Sequence, residues 1–300
     1  MELIDRLARD VARTPSRVVF PEGRSPVTLE AAEALAAQGL AQPVLFDCEE
    51  VPPGCERGEV DPAWTSVLQA ARPSLKEAVA AKMLARPMFA GAAMVAAGEA
   101  DALVAGVETP TKRVIEAALM AIGLAPGVDV PSSFFLMLKD GAEPLILADC
   151  ALAVAPEARE LAAIARASAA SAEALLGAAR VAMLSYSTGT SGAGDSVDRV
   201  REAAATLEDL TLVGPVQADA ALNAAIASKK GLEGWDEPAN VLVFPALDAG
   251  NIAYKLLQEL AGFDAIGPCL QGFARPVCDL SRGASAQDIV RATVVTLALG

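Results

Sequence analysis

Short β-branched runs alternate with amphipathic helical segments along most of this chain. The apolar run Arg17–Phe20 precedes a helical segment at Thr28–Gly39, and the apolar run Asp101–Val107 precedes a helical segment at Lys112–Leu124. Strands that are separated by helices pair in parallel through right-handed crossovers. The alternation therefore predicts an α/β protein with parallel-rich sheets.

The alternation breaks at Ser132–Cys150, where two apolar strands follow each other directly. The turn between them contains Asp140-Gly141, a pair that favours a β-hairpin. A chain of 300 residues is long enough for two domains. The hairpin is the best candidate for a change of domain.

The net charge of −14 argues against a nucleic-acid partner and against an anionic membrane surface. An anionic small ligand would need a local basic pocket, so clusters of Arg and Lys become site candidates. The apolar stretches are interrupted well short of the ~20 residues that a membrane-spanning helix needs. We therefore expect no nucleic-acid partner and no membrane span.

The chain contains no histidine and five cysteines without CxxC spacing. These counts argue against a zinc site of the Cys/His type and exclude a Ser-His-Asp triad. An odd number of cysteines without a secretory segment fits a reducing cytoplasm. Cys150 follows an apolar run and is interpreted as a buried thiol rather than a nucleophile.

Two connections between a strand and a helix contain candidate ligand groups. Lys112 and Arg113 stand at a helix start, against the helix dipole, which indicates an anionic ligand or else a solvated basic pair. The segment Ser185–Gly194 is rich in Ser, Thr and Gly, and it is either a phosphate cradle or a flexible connection. It lacks both the P-loop and the G-x-G-x-x-G pattern.

The C-terminal segment DLSRGASAQDIV, residues 279–290, has two interpretations. In one, Ser285 and Asp288 form a capping box at the start of the last helix. In the other, Ser281 donates to an anionic oxygen, Arg282 binds phosphate in bidentate fashion, and Asp288 accepts a proton.

Together these stretches resemble the phosphate acetyltransferase/phosphate butyryltransferase family, most closely its acetyl branch, the phosphotransacetylases. The segments that carry the resemblance are VVFPEG (18–23), ADALVAGVET (100–109), LADCA (147–151), VAMLSYST (181–188), ANVLVFPALDAGNIAYKL (239–256) and AIGPCLQGFARPVCDLSRGAS-x-x-DIV (265–290).

The resemblance implies two three-layer α/β domains with parallel-rich sheets and an interdomain cleft, similar to isocitrate and isopropylmalate dehydrogenases. Domain I is then discontinuous, residues 1–130 plus 275–300, and domain II, residues 131–274, is inserted in it. The resemblance also implies a homodimer.

The implied reaction is acetyl phosphate + coenzyme A = acetyl-CoA + phosphate, by direct thiolate attack. Small molecules are then the partners: coenzyme A is a substrate, and neither a permanently bound cofactor nor a metal is expected. The alternatives are a butyryltransferase-like enzyme for longer acyl chains and a catalytically silent regulatory module that binds coenzyme A or acyl phosphate.

The resemblance also assigns roles to residues. Asp288 is the base for the thiol, Arg282 stabilises anionic oxygens and Ser281 supports it. The predicted substrate-binding residues are Arg113, Lys112, Cys150, Ser187, Thr188, Ser191, Asn251 and Tyr254.

Two positions depart from the family pattern. Glu116 stands where the acetyl branch typically has an arginine, and Ala153 stands where asparagine is usual. Arg113 lies three residues before Glu116 on the same helical face and is a candidate substitute.

An ordinary thiol and an ordinary aspartate differ by about 4.6 pKa units, or about 6 kcal/mol, so an aspartate base needs burial or a neighbouring cation.

Overall fold

The computed structural model describes residues 2–14 and 16–300. The chain divides into two compact units: unit 1 comprises Met1–Asp129 and Gly267–Gly300, and unit 2 comprises Val130–Ile266. The C-terminal boundary that we expected at residue 274 lies beyond the end of unit 2. The predicted domain bounds stay a prediction.

The strands are short and mostly apolar. In chain order they are β1 (Arg17–Phe20), β2 (Gln42–Leu45), β3 (Glu56–Arg57), β4 (Ala102–Ala105), β5 (Ser132–Leu138), β6 (Leu145–Ala148), β7 (Val181–Leu184), β8 (Leu212–Val216), β9 (Val241–Val243), β10 (Asp264–Gln271) and β11 (Val277–Asp279).

Helices connect most of these strands. In chain order they are α1 (Glu2–Val11), α2 (Pro26–Ala37), α3 (Trp64–Ala71), α4 (Glu77–Leu84), α5 (Pro87–Ala96), α6 (Thr111–Ala121), α7 (Ala158–Leu176), α8 (Asp195–Ala204), α9 (Ala218–Leu222), α10 (Ala224–Lys229), α11 (Leu247–Ala261) and α12 (Ala286–Leu297).

The strands of unit 1 lie in the order β3-β2-β1-β4-β11-β10. All pairs are parallel except β10 with β11, which are antiparallel with Cys269 opposite Cys278. The core of this unit includes fully buried residues of β1 and β4 and most of α5. β10 and β11 were not predicted from the sequence, because no helix separates these two strands.

The strands of unit 2 lie in the order β5-β6-β9-β7-β8. β5 and β6 form the antiparallel hairpin that the Asp140-Gly141 pair predicts, and the other pairs are parallel. The α/β class with parallel-rich sheets is therefore confirmed.

Local signals account for several helix ends. α7 begins with a capping box of Glu157 and Glu160 and ends at Gly177, which adopts a φ of 84°. In the described part of the chain, no single helix has the length and apolar character to cross a membrane. Only α4 and α5 taken together have that length and apolar character, and the two helices are bent by 108° relative to each other.

Candidate active site

The segment that contains the predicted catalytic residues follows β11 in unit 1. Strands β1, β4 and β11 run parallel, so the segments after their carboxyl ends lie at one edge of the sheet. Those segments contain Glu22 after β1, residues 106–113 after β4, and residues 280–282 after β11. The fold thus brings Lys112, Arg113, Ser281 and Arg282 to the same edge.

The carboxylate of Glu22 anchors the loop between β4 and α6. Its Oε2 accepts hydrogen bonds from the backbone N–H groups of Gly106 (2.9 Å) and Val107 (3.1 Å), and its Oε1 accepts from Glu108 (3.0 Å) and Thr109 (2.7 Å). Four charge-assisted hydrogen bonds fix the loop that leads into α6. This role of Glu22 was not predicted from the sequence, because its partners are distant along the chain.

Asp279 is buried at the end of β11, with 1% of its surface exposed. Burial, with the charge of Glu22, raises the pKa of its carboxyl group to about 6, against an opposing hydrogen bond from the side chain of Thr111. Its Oδ1 has no hydrogen-bond partner among the described residues. The one available signal for Asp279 was a carboxylate directly after the apolar run of the DLSRG segment, and sequence analysis did not use it.

The backbone of Gly106 lies directly against this buried carboxyl group. Gly106 adopts a φ of 115°, and a Cβ atom there would lie 2.6 Å from Oδ1 of Asp279. The N–H group of Leu280 donates to the carbonyl oxygen of Ala105 at 2.6 Å. Only glycine fits at position 106, and the close contact links the loop after β4 to the segment that leads to Ser281.

The structure gives Asp288 the capping arrangement that was the first of the two interpretations. Its Oδ2 accepts hydrogen bonds from the backbone N–H (2.9 Å) and Oγ (2.7 Å) of Ser285, and its own N–H donates to Ser285 Oγ at 3.2 Å. Ser281, Arg282 and Asp288 are exposed, and Ser281 Oγ accepts a hydrogen bond from Gly283 N at 3.4 Å. In the described residues no ion pair joins Arg282 to Asp288. The catalytic roles of these three residues stay a prediction.

Helix α6 begins with the two predicted cations. Lys112 and Arg113 lie in its first turn, where positive charge is unfavourable against the helix dipole. Nη1 of Arg113 donates to Oε2 of Glu116 at 2.8 Å, and both side chains are about half exposed. Glu116 therefore occupies the guanidinium that we expected to bind an anionic substrate.

The second group of predicted residues lies at one edge of the unit 2 sheet. Strands β6, β9 and β7 are parallel neighbours, so the segments after their carboxyl ends meet there. These segments are residues 149–153, 244–251 and 185–194. The fold brings Cys150 and Asn251 to this edge together with the loop that contains Ser187.

Asp149 holds the turn after β6. Its Oδ1 accepts hydrogen bonds from the N–H groups of Ala151 (2.8 Å) and Leu152 (3.0 Å) and from the hydroxyl of Ser133. Its Oδ2 accepts from the N–H group of Ala153 at 3.1 Å. The carboxylate is 2% exposed and has four donors, so it stabilises the turn without a charged partner.

Cys150 is completely buried, and its Sγ donates to the carbonyl oxygen of Leu147 at 3.4 Å. Burial, reinforced by the charge of Asp149, raises the pKa of the thiol well above its ordinary value. A neutral buried thiol is a poor nucleophile. A contact between Cys150 and substrate stays a prediction.

Asn251 and Tyr254 attach α11 to the rest of unit 2. Nδ2 of Asn251 donates to the carbonyl oxygen of Cys150 at 3.0 Å. The ring of Tyr254 stacks on Phe135, with centroids 4.0 Å apart, and Lys255 Nζ lies 4.9 Å from the centroid of the Tyr254 ring. Both predicted substrate-binding side chains have structural partners, and their contacts with substrate stay a prediction.

The loop between β7 and α8 is held together by its own hydroxyl groups. Ser187 is buried; its Oγ accepts a hydrogen bond from Gly192 N at 2.8 Å and lies 3.2 Å from Ser191 Oγ. Thr188 N donates to Ser191 Oγ at 3.0 Å, and Thr188 Oγ1 accepts from Gln217 N at 3.2 Å. These side chains shape the loop, and their contacts with substrate stay a prediction.

The polar groups at the unit 1 edge suit the binding of an anion and the transfer of a proton. They include the cations Lys112 and Arg113 in α6, the guanidinium of Arg282, the hydroxyl group of Ser281 and the carboxyl groups of Glu22 and Asp279. Over residues 2–14 and 16–300, no group of three or more His, Cys, Asp or Glu side chains is placed to hold a metal ion.

Comparisons with known proteins identify the family of this chain. The family model described as "Phosphate acetyl/butaryl transferase" matches residues 2–297. The phosphate acetyltransferase of Paracoccus denitrificans is 41% identical, over 99% of this chain and 98% of that protein.

Solved structures give the same result. A phosphotransacetylase from Streptococcus pyogenes superimposes with a TM-score of 0.91 and 34% identity, over 99% of this chain and 97% of that chain. A 4-hydroxythreonine-4-phosphate dehydrogenase from Klebsiella pneumoniae, 12% identical, shares the fold alone, with a TM-score of 0.50 over 95% of this chain and 98% of that chain. The chain belongs to the phosphate acetyl/butyryl transferase family, as its motifs predict.

Proposed function

We propose that this chain transfers an acetyl group between acetyl phosphate and coenzyme A. The observation that carries the proposal is the identity of 41% with a phosphate acetyltransferase over nearly the full length of both chains. In this reaction the thiolate sulfur of coenzyme A attacks the carbonyl carbon, the bond from that carbon to the phosphate oxygen breaks, and phosphate leaves. Because phosphate is a good leaving group, no acyl-enzyme is needed, which fits a chain without histidine.

In the proposed mechanism, the residues at the unit 1 edge act on the charges of this reaction. Arg282 binds the phosphoryl oxygens and stabilises the negative charge that develops on the carbonyl oxygen. Ser281 donates a hydrogen bond to the same anion. Lys112 attracts the anionic substrate, and Arg113 contributes once its guanidinium leaves Glu116.

The proposed base is Asp288, which takes the proton from the thiol. Its Oδ2 is engaged by Ser285, so the carboxylate has to leave the capping box, or use its other oxygen, when coenzyme A binds. Arg282, six residues before Asp288 in the sequence, is the proposed cation that lowers the cost of forming the thiolate.

The capping box of α7 supplies a matched control for this assignment. Asp288→Asn and Glu160→Gln each neutralise the third residue of a capping box, one in each unit. We expect Asp288→Asn to lower kcat by roughly 100- to 10,000-fold, as for loss of a general base, and Glu160→Gln to leave kcat unchanged. Both variants are assayed with acetyl phosphate and coenzyme A by thioester absorbance. If both variants keep the wild-type kcat, Asp288 is a capping residue only.

Substrate choice is tested by comparing acetyl, propionyl and butyryl phosphates. The proposal expects the highest kcat/KM with acetyl phosphate. A maximum at butyryl phosphate would favour the longer-chain alternative. Binding of coenzyme A in a calorimeter without turnover of any acyl phosphate would favour a silent binding module.

We also propose that the chain forms a homodimer through α11. Ile252, Leu256 and Leu260 are 57%, 51% and 81% exposed and form an apolar stripe at spacings of four residues. In two antiparallel copies of α11, Lys255 of each helix faces Glu259 of the other, so the flanking charges are complementary. Light scattering should give a dimer for the wild type and a monomer for Leu260→Glu. A dimer for both proteins would contradict α11 as the interface.

We propose a cytoplasmic location as well. It is supported by the five cysteines, which are all free thiols, including the opposed pair Cys269 and Cys278. Free thiols persist in reducing compartments. Fractionation of expressing cells tests this location, and recovery of the chain in an oxidising compartment would contradict it.

A further inference from the structure

Tyr186 exposes most of its ring at the edge of the unit 2 sheet where β7 ends. The side chain is 61% exposed, in a chain with only two tyrosines and two tryptophans. The other tyrosine, Tyr254, stacks on Phe135. In the described ranges, the aromatic pairs are Phe46 with Trp64 and Phe135 with Tyr254, so the face of Tyr186 has no aromatic partner.

The ring is exposed and yet fixed in orientation. Its hydroxyl group donates to the carbonyl oxygen of Ala193 at 2.7 Å. Gly194 adopts a φ of 139°, and a Cβ atom at that position would lie 2.6 Å from the hydroxyl oxygen of Tyr186. The loop therefore bends closely past the hydroxyl end of the ring, and the glycine makes room for it. A ring held in this way loses little conformational entropy when a second ring stacks on it.

The surroundings of this ring favour a flat ring over a phosphate group. The N–H groups of Ser187, Thr188 and Gly192 are all used by hydroxyl oxygens within the loop. The first turn of α8 contains Asp195 and Asp198, which disfavour an anion at that helix start. These three N–H groups are therefore engaged within the loop, and the exposed face of Tyr186 is the part of the loop that offers a contact to a flat ligand.

The position of Tyr186 places it beside the other candidate ligand segments of unit 2. β7 is next to β9, which is next to β6, so the ends of the strands that lead to Tyr186 and to the turn containing Cys150 are two strand spacings, about 10 Å, apart. Ligands of parallel α/β sheets bind at this edge.

We propose that Tyr186 is the stacking platform for the adenine ring of coenzyme A. The inference rests on the proposed function, because among acetyl phosphate, phosphate and coenzyme A only coenzyme A contains an aromatic ring. Stacking of a base on an aromatic side chain is strong enough to change binding affinity by about 5- to 150-fold.

The test separates the adenine end of coenzyme A from its thiol end. Wild type, Tyr186→Leu and Tyr186→Phe are assayed with coenzyme A and with pantetheine, which contains the thiol arm but no nucleotide. Tyr186→Leu should raise KM for coenzyme A by about 5- to 150-fold, leaving kcat and the KM for pantetheine unchanged. Tyr186→Phe keeps the ring and should restore most of the affinity.

Calorimetry with adenosine 3′,5′-bisphosphate measures nucleotide binding at Tyr186 without turnover. The wild type should bind this nucleotide, and Tyr186→Leu should bind it more weakly by a factor in the same range. This result would support the platform even if no acyl transfer were found, so failure of the proposed function is distinguishable. An unchanged KM for coenzyme A in Tyr186→Leu, or an equal rise of KM for coenzyme A and pantetheine, would overturn the proposal.

Discussion

Each unit uses a carboxylate to hold the loop after a parallel strand, but the two carboxylates differ in reach. Asp149 in unit 2 bonds to amides two to four residues ahead of it. Glu22 in unit 1 bonds to amides 84 to 87 residues away. A local anchor shapes its own turn, whereas a long-range anchor ties the ends of two strands together. The unit 1 edge therefore depends more than the unit 2 edge on contacts between distant parts of the chain.

The buried aspartates of the two units also differ in how well their oxygens are satisfied. Both oxygens of Asp149 accept hydrogen bonds. Asp279 is equally buried, but its Oδ1 has no partner among the residues described. Burial without enough donors disfavours the charged form, which is why the pKa of Asp279 rises to about 6. One aspartate is therefore a stabilising anchor, and the other is a source of strain that depends on pH.

The largest expected effect is that of Asp149→Ala. It removes the acceptor of four donors in a buried turn, and we expect the free energy of unfolding to fall by about 3–5 kcal/mol. Asp61→Ala is the control, because Asp61 accepts one exposed amide, from Ala63, and should cost about 1 kcal/mol or less. Urea unfolding measures both. Equal losses of stability in the two variants would contradict the difference between a buried anchor and an exposed turn residue.

Asp279→Asn should show an effect that depends on pH. The pKa of Asp279 in the folded protein, about 6, lies above the ordinary value of 3.8, so the wild type is stabilised by the proton below pH 4 and loses that contribution as pH rises through 6. We expect the variant to gain about 2–3 kcal/mol on the wild type between pH 4 and pH 8. The measurement is the difference in unfolding free energy at the two pH values. A difference that does not change with pH would contradict a raised pKa.

Glu22→Gln sharpens the contrast between the two anchors. The amide group has one accepting oxygen, so two of the four loop N–H groups lose their acceptor, and stability should fall by about 1–2 kcal/mol. Hydrogen exchange should accelerate at residues 106–109, and KM for acetyl phosphate should rise because the loop positions Lys112 and Arg113. Glu108→Gln, with an exposed side chain, should leave exchange unchanged. Unaltered exchange in both variants would contradict the anchor role of Glu22.

The smallest expected effect is that of Glu116→Gln. It releases Arg113 from its ion pair, which should cost about 0.2–0.5 kcal/mol of stability and lower KM for acetyl phosphate by about twofold. Asp198→Asn is the matched control, because it breaks the same type of pair, with Arg201, in α8 of unit 2. Steady-state kinetics compares the two. An unchanged KM in Glu116→Gln would mean that Arg113 does not bind the substrate.

Local signals in the sequence predicted local structure well. The Ser285–Asp288 pair predicted the capping box of α12, and Asp140-Gly141 predicted the hairpin of β5 and β6. Both depend on groups within a few residues of each other, so their geometry follows from the backbone alone. The family also followed from the sequence, because its segments extend over most of the chain.

Tertiary structure decided which polar groups are buried and which partners they have. The partners of Glu22 and the burial of Asp279 follow from the order β1-β4-β11, in which β11 comes from the far end of the chain. The orientation of Tyr186 depends on its hydrogen bond to the carbonyl oxygen of Ala193 within the loop after β7, which composition does not specify. The sequence by itself determined the α/β class, the family and the capping box of α12, since these depend on local pairs and motifs. The environment of each carboxyl group and ring required the fold, because it is set by strands brought together from distant parts of the chain.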